Sequence, residues 1–79
     1  MQLQKAIQAH QLGANRIAID LLNKINYTAL LKTEKVDYWK TYYFSNYDIH
    51  NMSKAKSASY NLWLLENPKK NTNSIYTAQ

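Results

Sequence analysis

A chain with one glycine and one proline has few places to turn sharply. Gly13 and Pro68 are the only two in these 79 residues. The favoured two-residue hairpin turns need positive φ, and no Asn-Gly or Asp-Gly pair is present. The scarcity of both residues points to helices. It also places the stops: Gly13 stands where a first helix should end, and Pro68 where the last one should. Asn67, just before the proline, is biased out of helical conformation. The expected fold is mainly α, with three to four short helices around a small core. One domain is expected over residues 1–67, and a disordered, flexible tail over 68–79.

Hydrophobic spacing fills in the elements. Leu3, Ala6, Ile7 and the Ala9/His10 pair recur at helical intervals and predict a helix over 2–12. Ala14, Ile17, Ala18, Leu21, Leu22 and Ile25 predict a second over 14–26. Ile19 lies off that stripe, so the apolar arc is wide and suits contact on more than one side. Residues 27–45 are two-faced. The segment DYWKTYYF has high β propensity and alternates, which allows a hairpin within 27–45. It also pairs Trp39 with Tyr43 at i,i+4, as a helix would, and the shortage of glycine favours the helix. Ser45-Asn46-Tyr47-Asp48 spells a capping box, which predicts a final helix over 48–66 with Ile49, Met52, Ala55, Ser59, Leu62 and Trp63 on its apolar face.

Composition removes whole classes of function. There is no cysteine, so disulfide scaffolds, cysteine–zinc sites, iron–sulfur clusters and thiol enzymes are excluded. No glycine-rich loop for a dinucleotide or nucleoside triphosphate exists. His10 and His50 lack metal-ligand spacing, and Asp20, Glu34, Asp37, Asp48 and Glu66 form no pair on one helix face. The chain reads as a non-enzyme without a cofactor or metal. MQLQKAIQAH has no apolar signal region, and Leu62–Leu65 is far too short to span a bilayer, so no membrane role and a cytoplasmic location are expected. With no staple of any kind, stability must come from dense packing or from a homodimer.

The net charge of +5 favours an anionic partner. It forms no block: residues 1–45 carry six Lys/Arg and three acids, residues 46–79 four and two. One stretch gives the charge a use. Ala9 puts a small residue inside the first helix, and Gly13 follows four residues later at a turn. Leu12, Ile19 and Leu22 supply apolar anchors before the turn and on the inner face of the second helix. In these features KAIQAHQLGANRIAIDLLNK, residues 5–24, resembles the general helix-turn-helix segment of bacterial and phage DNA-binding proteins.

That resemblance implies a small DNA-binding regulator acting as a dimer, with the second helix in the major groove. Asn15 would read adenine and Arg16 guanine through bidentate hydrogen bonds. Lys5, Lys24 and Lys35 would hold phosphates. Asp20 would pair with Arg16 or accept from cytosine. Gln8 stands where the motif usually has an apolar residue, and Ile17 and Leu21 would face the DNA. Strands at 28–33 and 38–44 would make the whole a winged helix with Glu34–Asp37 at the wing tip.

The rival expectation is a small helical protein-binding module, an inhibitor or adaptor of a larger partner. Its interface would be the aromatic cluster Tyr38, Trp39, Tyr42, Tyr43 and Tyr47, joined by Phe44 and interleaved with Lys40. The same side chains suit stacking on unpaired bases, or simply the core of a small domain. His50, Lys54 and Lys56 form a weaker basic strip, and Lys69 and Lys70 a tail contact to phosphate.

Overall fold

A computed structural model describes residues 2–67. Four helices follow one another: α1 (Gln2–Gln11), α2 (Asn15–Asn23), α3 (Lys32–Asp48) and α4 (Met52–Glu66), with a 3-10 turn at Tyr27–Ala29. The expected tail, with Lys69 and Lys70, lies outside the described residues.

The mainly helical expectation holds, and its β alternative does not. No strand occurs among the described residues, and the hairpin and wing expected within 27–45 are replaced by the 3-10 turn and the first fourteen residues of α3. The physical reason lies in what the aromatics touch. Tyr38, Trp39 and Tyr42 share one helix face with centroids 4.9 to 6.0 Å apart, Trp39 edge-on to both tyrosines and Tyr38 stacked on Tyr42. A strand would send Tyr38 and Trp39 to opposite faces. Glu34 holds the start of this helix, accepting the Leu31 backbone N–H at 2.8 Å. That is half of a capping box, and it sits where no serine or threonine announces it.

The second correction concerns Ser45–Asp48. These residues close α3 rather than open α4. Ser45 is wholly buried and its hydroxyl faces His10 of α1, so tertiary packing overrides the local capping signature. α3 ends at a tight turn in which His50 takes φ +64°, and α4 begins at Met52 after an Asn51 cap without a side-chain bond. The second helix is also shorter than its spacing suggests, because the chain leaves it after Asn23 to reach the 3-10 turn.

Leu3 and Ala6 of α1, Leu22 of α2 and Tyr38 of α3 form the centre of the core. Ile7, Leu21, Ile25, Tyr27, Leu30, Trp39 and Tyr42 pack around them. The Trp39 indole N–H donates to the Tyr27 hydroxyl at 2.8 Å, tying α3 to the 3-10 turn. α4 leans on α3 through Ala55 and Ala58 and adds little to the central core.

Candidate nucleic-acid interface

α1 and α2 are joined by the three residues Leu12 to Ala14. Gly13 sits there at φ +83°, a left-handed conformation that glycine adopts freely. Its amide donates to the His10 carbonyl at 2.9 Å, and the Ala14 amide to the Ala9 carbonyl at 2.8 Å. Ala18, Ile19 and Leu22 of α2 are buried. Arg16, Ile17, Asp20, Asn23 and Lys24 are therefore turned to solvent. Of the three apolar anchors the motif asks for, Ile19 and Leu22 are inside, whereas Leu12 is 85% exposed.

The residues expected to touch DNA do not share one surface role. Arg16 and Asp20 rim a small hollow of about 150 Å³, and Lys54 of α4 stands at the same hollow. Its walls are Ile19, Asn46, Ile49 and Asn51, so α2, α3 and the α3–α4 turn converge there. Sequence spacing does not disclose that Lys54 joins Arg16, because the two lie 38 positions apart. Lys24 is exposed at the C-terminal end of α2, and Lys5 is exposed on α1. Lys35 is half-buried, with its ammonium 5.2 Å from the centre of the Tyr27 ring. That cation–π contact gives it a structural use.

Asn15 is held too. Its Oδ1 accepts from His10 Nδ1 at 2.8 Å, which places a proton on that ring nitrogen. His10 Nδ1 also lies 3.3 Å from the Ser45 hydroxyl, and its ring stacks on Phe44. The first residue of α2 is thus tethered to α1 and α3. Ile17 is 58% exposed on the outward face, and Leu21 packs against the core instead of facing outward.

The aromatic cluster divides along the two sides of α3. Tyr38 is only 8% exposed and belongs to the core; Trp39 and Tyr42 are half-buried against it. Burial, with the neighbouring Tyr42 and Tyr27 phenols adding to it, pushes the Tyr38 hydroxyl above its ordinary value of 10.0. Tyr43, Phe44 and Tyr47 face the other way, toward α4, and bound clefts there with Met52, Ala55 and Ser59 and with Lys40 and Leu62. His50 and Lys56 are exposed on separate elements.

Among the described residues no cluster of three or more His, Asp or Glu could hold a metal ion, and no helix is long and apolar enough to cross a membrane. No protein-family model matches the chain, and no curated protein or solved structure matches it significantly.

Proposed function

We propose that this chain is a small DNA-binding protein that offers α2 to duplex DNA. The observation that carries the reading is the α1–Gly13–α2 unit, which buries Ala18, Ile19 and Leu22 and leaves Arg16 exposed one residue into α2. Lys54 stands beside Arg16 at the same hollow, so two cations from different helices are available to neighbouring phosphates and base edges. Arg16 is the guanine reader. Asn15, whose carbonyl oxygen is taken by His10, supports the helix start rather than reading adenine. Asp20 at the same rim offsets part of the positive charge and disfavours tight non-specific binding.

The test is fluorescence anisotropy of a labelled mixed-sequence duplex at low and moderate salt, followed by selection of a preferred site. Binding is expected to weaken steeply with salt, because each neutralised phosphate contributes about 0.9 to the logarithmic slope. Arg16→Ala should lose about 1–3 kcal/mol of base discrimination at one position. Lys54→Ala should lower the salt slope and leave the preferred sequence alone. An unbound duplex at low salt overturns the proposal.

A protein-binding role rests on a different surface, the outward Tyr43, Phe44 and Tyr47 of α3. Capture of a foreign protein on that surface, by a chain that leaves duplex DNA unbound, favours this second reading.

A further inference from the structure

α4 carries more apolar surface than its contact with α3 uses. Ala55 and Ala58 fill that contact. Met52, Tyr60 and Trp63 remain 47%, 61% and 44% exposed, and Tyr60 and Trp63 lie nearly parallel, 6.5 Å between ring centres. Met52, Lys56, Ser59 and Trp63 recur at i, i+4, i+7 and i+11, which sets them in one stripe along the helix. Beside that stripe, toward the N-terminal half of α4, an open cleft of about 590 Å³ runs between α3 and α4. Its walls include Tyr43 and Tyr47 of α3 and Met52, Ala55, Lys56 and Ser59 of α4, so the stripe forms one side of it.

We propose that this α3–α4 face binds a second copy of the chain, with the two α4 helices antiparallel and crossing at Ser59. The inference is independent of DNA binding. It rests first on self-complementarity. In an antiparallel pair centred on position 59, Trp63 of one copy stands opposite Ala55 of the other, at the floor of the cleft. The bulky aromatic end of each α4 then fills the hollow end of its mate. Every contact occurs twice, as a two-fold interface demands. Ser59 at the centre is small enough for close approach, and the Lys56 ammonium of one copy comes over the Trp63 ring of the other.

Area supports the same occupant. Half-exposed Phe44, Tyr47, Met52, Tyr60 and Trp63 leave roughly 500 Å² of apolar surface per copy, taking about 200 Å² for a large side chain. A standard interface covers about 800 Å² per partner, of which somewhat over half, about 450 Å², is apolar. Pairing two copies through α3 and α4 makes a four-helix layer and covers the face.

The experiment is sedimentation of the full chain across a micromolar concentration series. Twice the 9.3 kDa chain mass is expected, and Trp63→Ala should lose it while keeping the helical circular dichroism. Cysteine scanning gives a readout that does not depend on Trp63→Ala folding, since the chain has no cysteine of its own. Helix axes 8–10 Å apart, less two Cα radii of about 2.3 Å, bring facing Cα atoms to about 3.5–5.5 Å. Much of that range suits a disulfide, which needs about 4.4–6.8 Å. S59C should therefore link to its mate under mild oxidant, and S57C, on the opposite side of α4, should not. A single-chain mass throughout, a dimer indifferent to Trp63→Ala, or equal linking of S57C and S59C overturns the proposal. So does capture of the face by a foreign chain while the protein alone stays monomeric.

Discussion

His10 Nδ1 donates to Asn15 Oδ1 at 2.8 Å, across the turn between α1 and α2. The bond spans only five residues, yet it also engages α3, because Ser45 closes on the same nitrogen and Phe44 stacks on the ring. One imidazole therefore ties the start of α2 to both α1 and α3. Asn15→Ala should cost about 1–2 kcal/mol of stability, the range for a lost hydrogen bond with its partner left half-satisfied. The protein should keep whatever base preference Arg16 confers. Urea denaturation beside anisotropy on the selected duplex separates the two effects. A variant as stable as wild type that loses adenine preference would return Asn15 to the base-reading role.

Two of the three interhelical connections use the same left-handed backbone with unequal residues. Gly13 adopts φ +83° and His50 φ +64°. Nothing lies within 4 Å of a Cβ built on Gly13, so Gly13→Ala meets no clash and loses only backbone ease. The expected cost is about 1–2 kcal/mol, the left-handed penalty of a non-glycine residue. His50→Gly should run the other way and stabilise by up to about 1 kcal/mol, since relief of strain outweighs the extra freedom of the unfolded chain. Thermal melts of the two single variants should move in opposite directions.

These turns also show what is legible in the sequence. Gly13 is readable because it closes a periodic apolar stretch, the place where a left-handed residue stops a helix. The α3–α4 turn is not, because no glycine or proline marks it and Ser45–Asp48 imitates a helix start just before it. α3 is hidden for a different reason. It packs against α1 and α2 on one side and α4 on the other, so its aromatics lie all around it and blur the helical period. Of the site, the outward place of Arg16 follows from α2's spacing. The tether on Asn15, the Lys35–Tyr27 contact and the meeting of Arg16 with Lys54 all join residues that only the folded chain brings together.

Tyr38 gives the core a pH limit. Its hydroxyl is held above the usual value, chiefly by burial and then by Tyr42 and Tyr27. The native state thus prefers the neutral phenol more strongly than the unfolded state does. That contribution is complete below the unfolded value, about pH 10, and is lost as pH rises through the higher native value. Wild type should lose stability on the alkaline side of about pH 10. Tyr38→Phe has no proton to release, so it should lose less over the same range while matching wild type near neutrality. Urea midpoints from about pH 8 to 12 measure the difference. Parallel alkaline curves for the two proteins would mean that Tyr38 does not set the limit.

Asn46 is fully buried on α3, and only half of its amide is used. Nδ2 donates back to the Tyr42 carbonyl at 2.8 Å, while Oδ1 finds no donor. A buried acceptor without a partner costs about 1–3 kcal/mol, whereas an apolar side chain of similar shape has no such penalty. Asn46→Leu should therefore be neutral to stabilising, despite replacing a hydrogen-bonded residue. Asn46→Asp keeps the shape but buries a carboxylate against the Tyr42 carbonyl. It should destabilise by about 3–5 kcal/mol at neutral pH and recover on acidification, when the carboxyl is neutral and can itself donate. Denaturant midpoints of both variants at about pH 7 and pH 4 test this. Marked destabilisation by Asn46→Leu would show that Oδ1 has a donor in solution, and an ordered water at the Arg16–Lys54 hollow would be the first place to look.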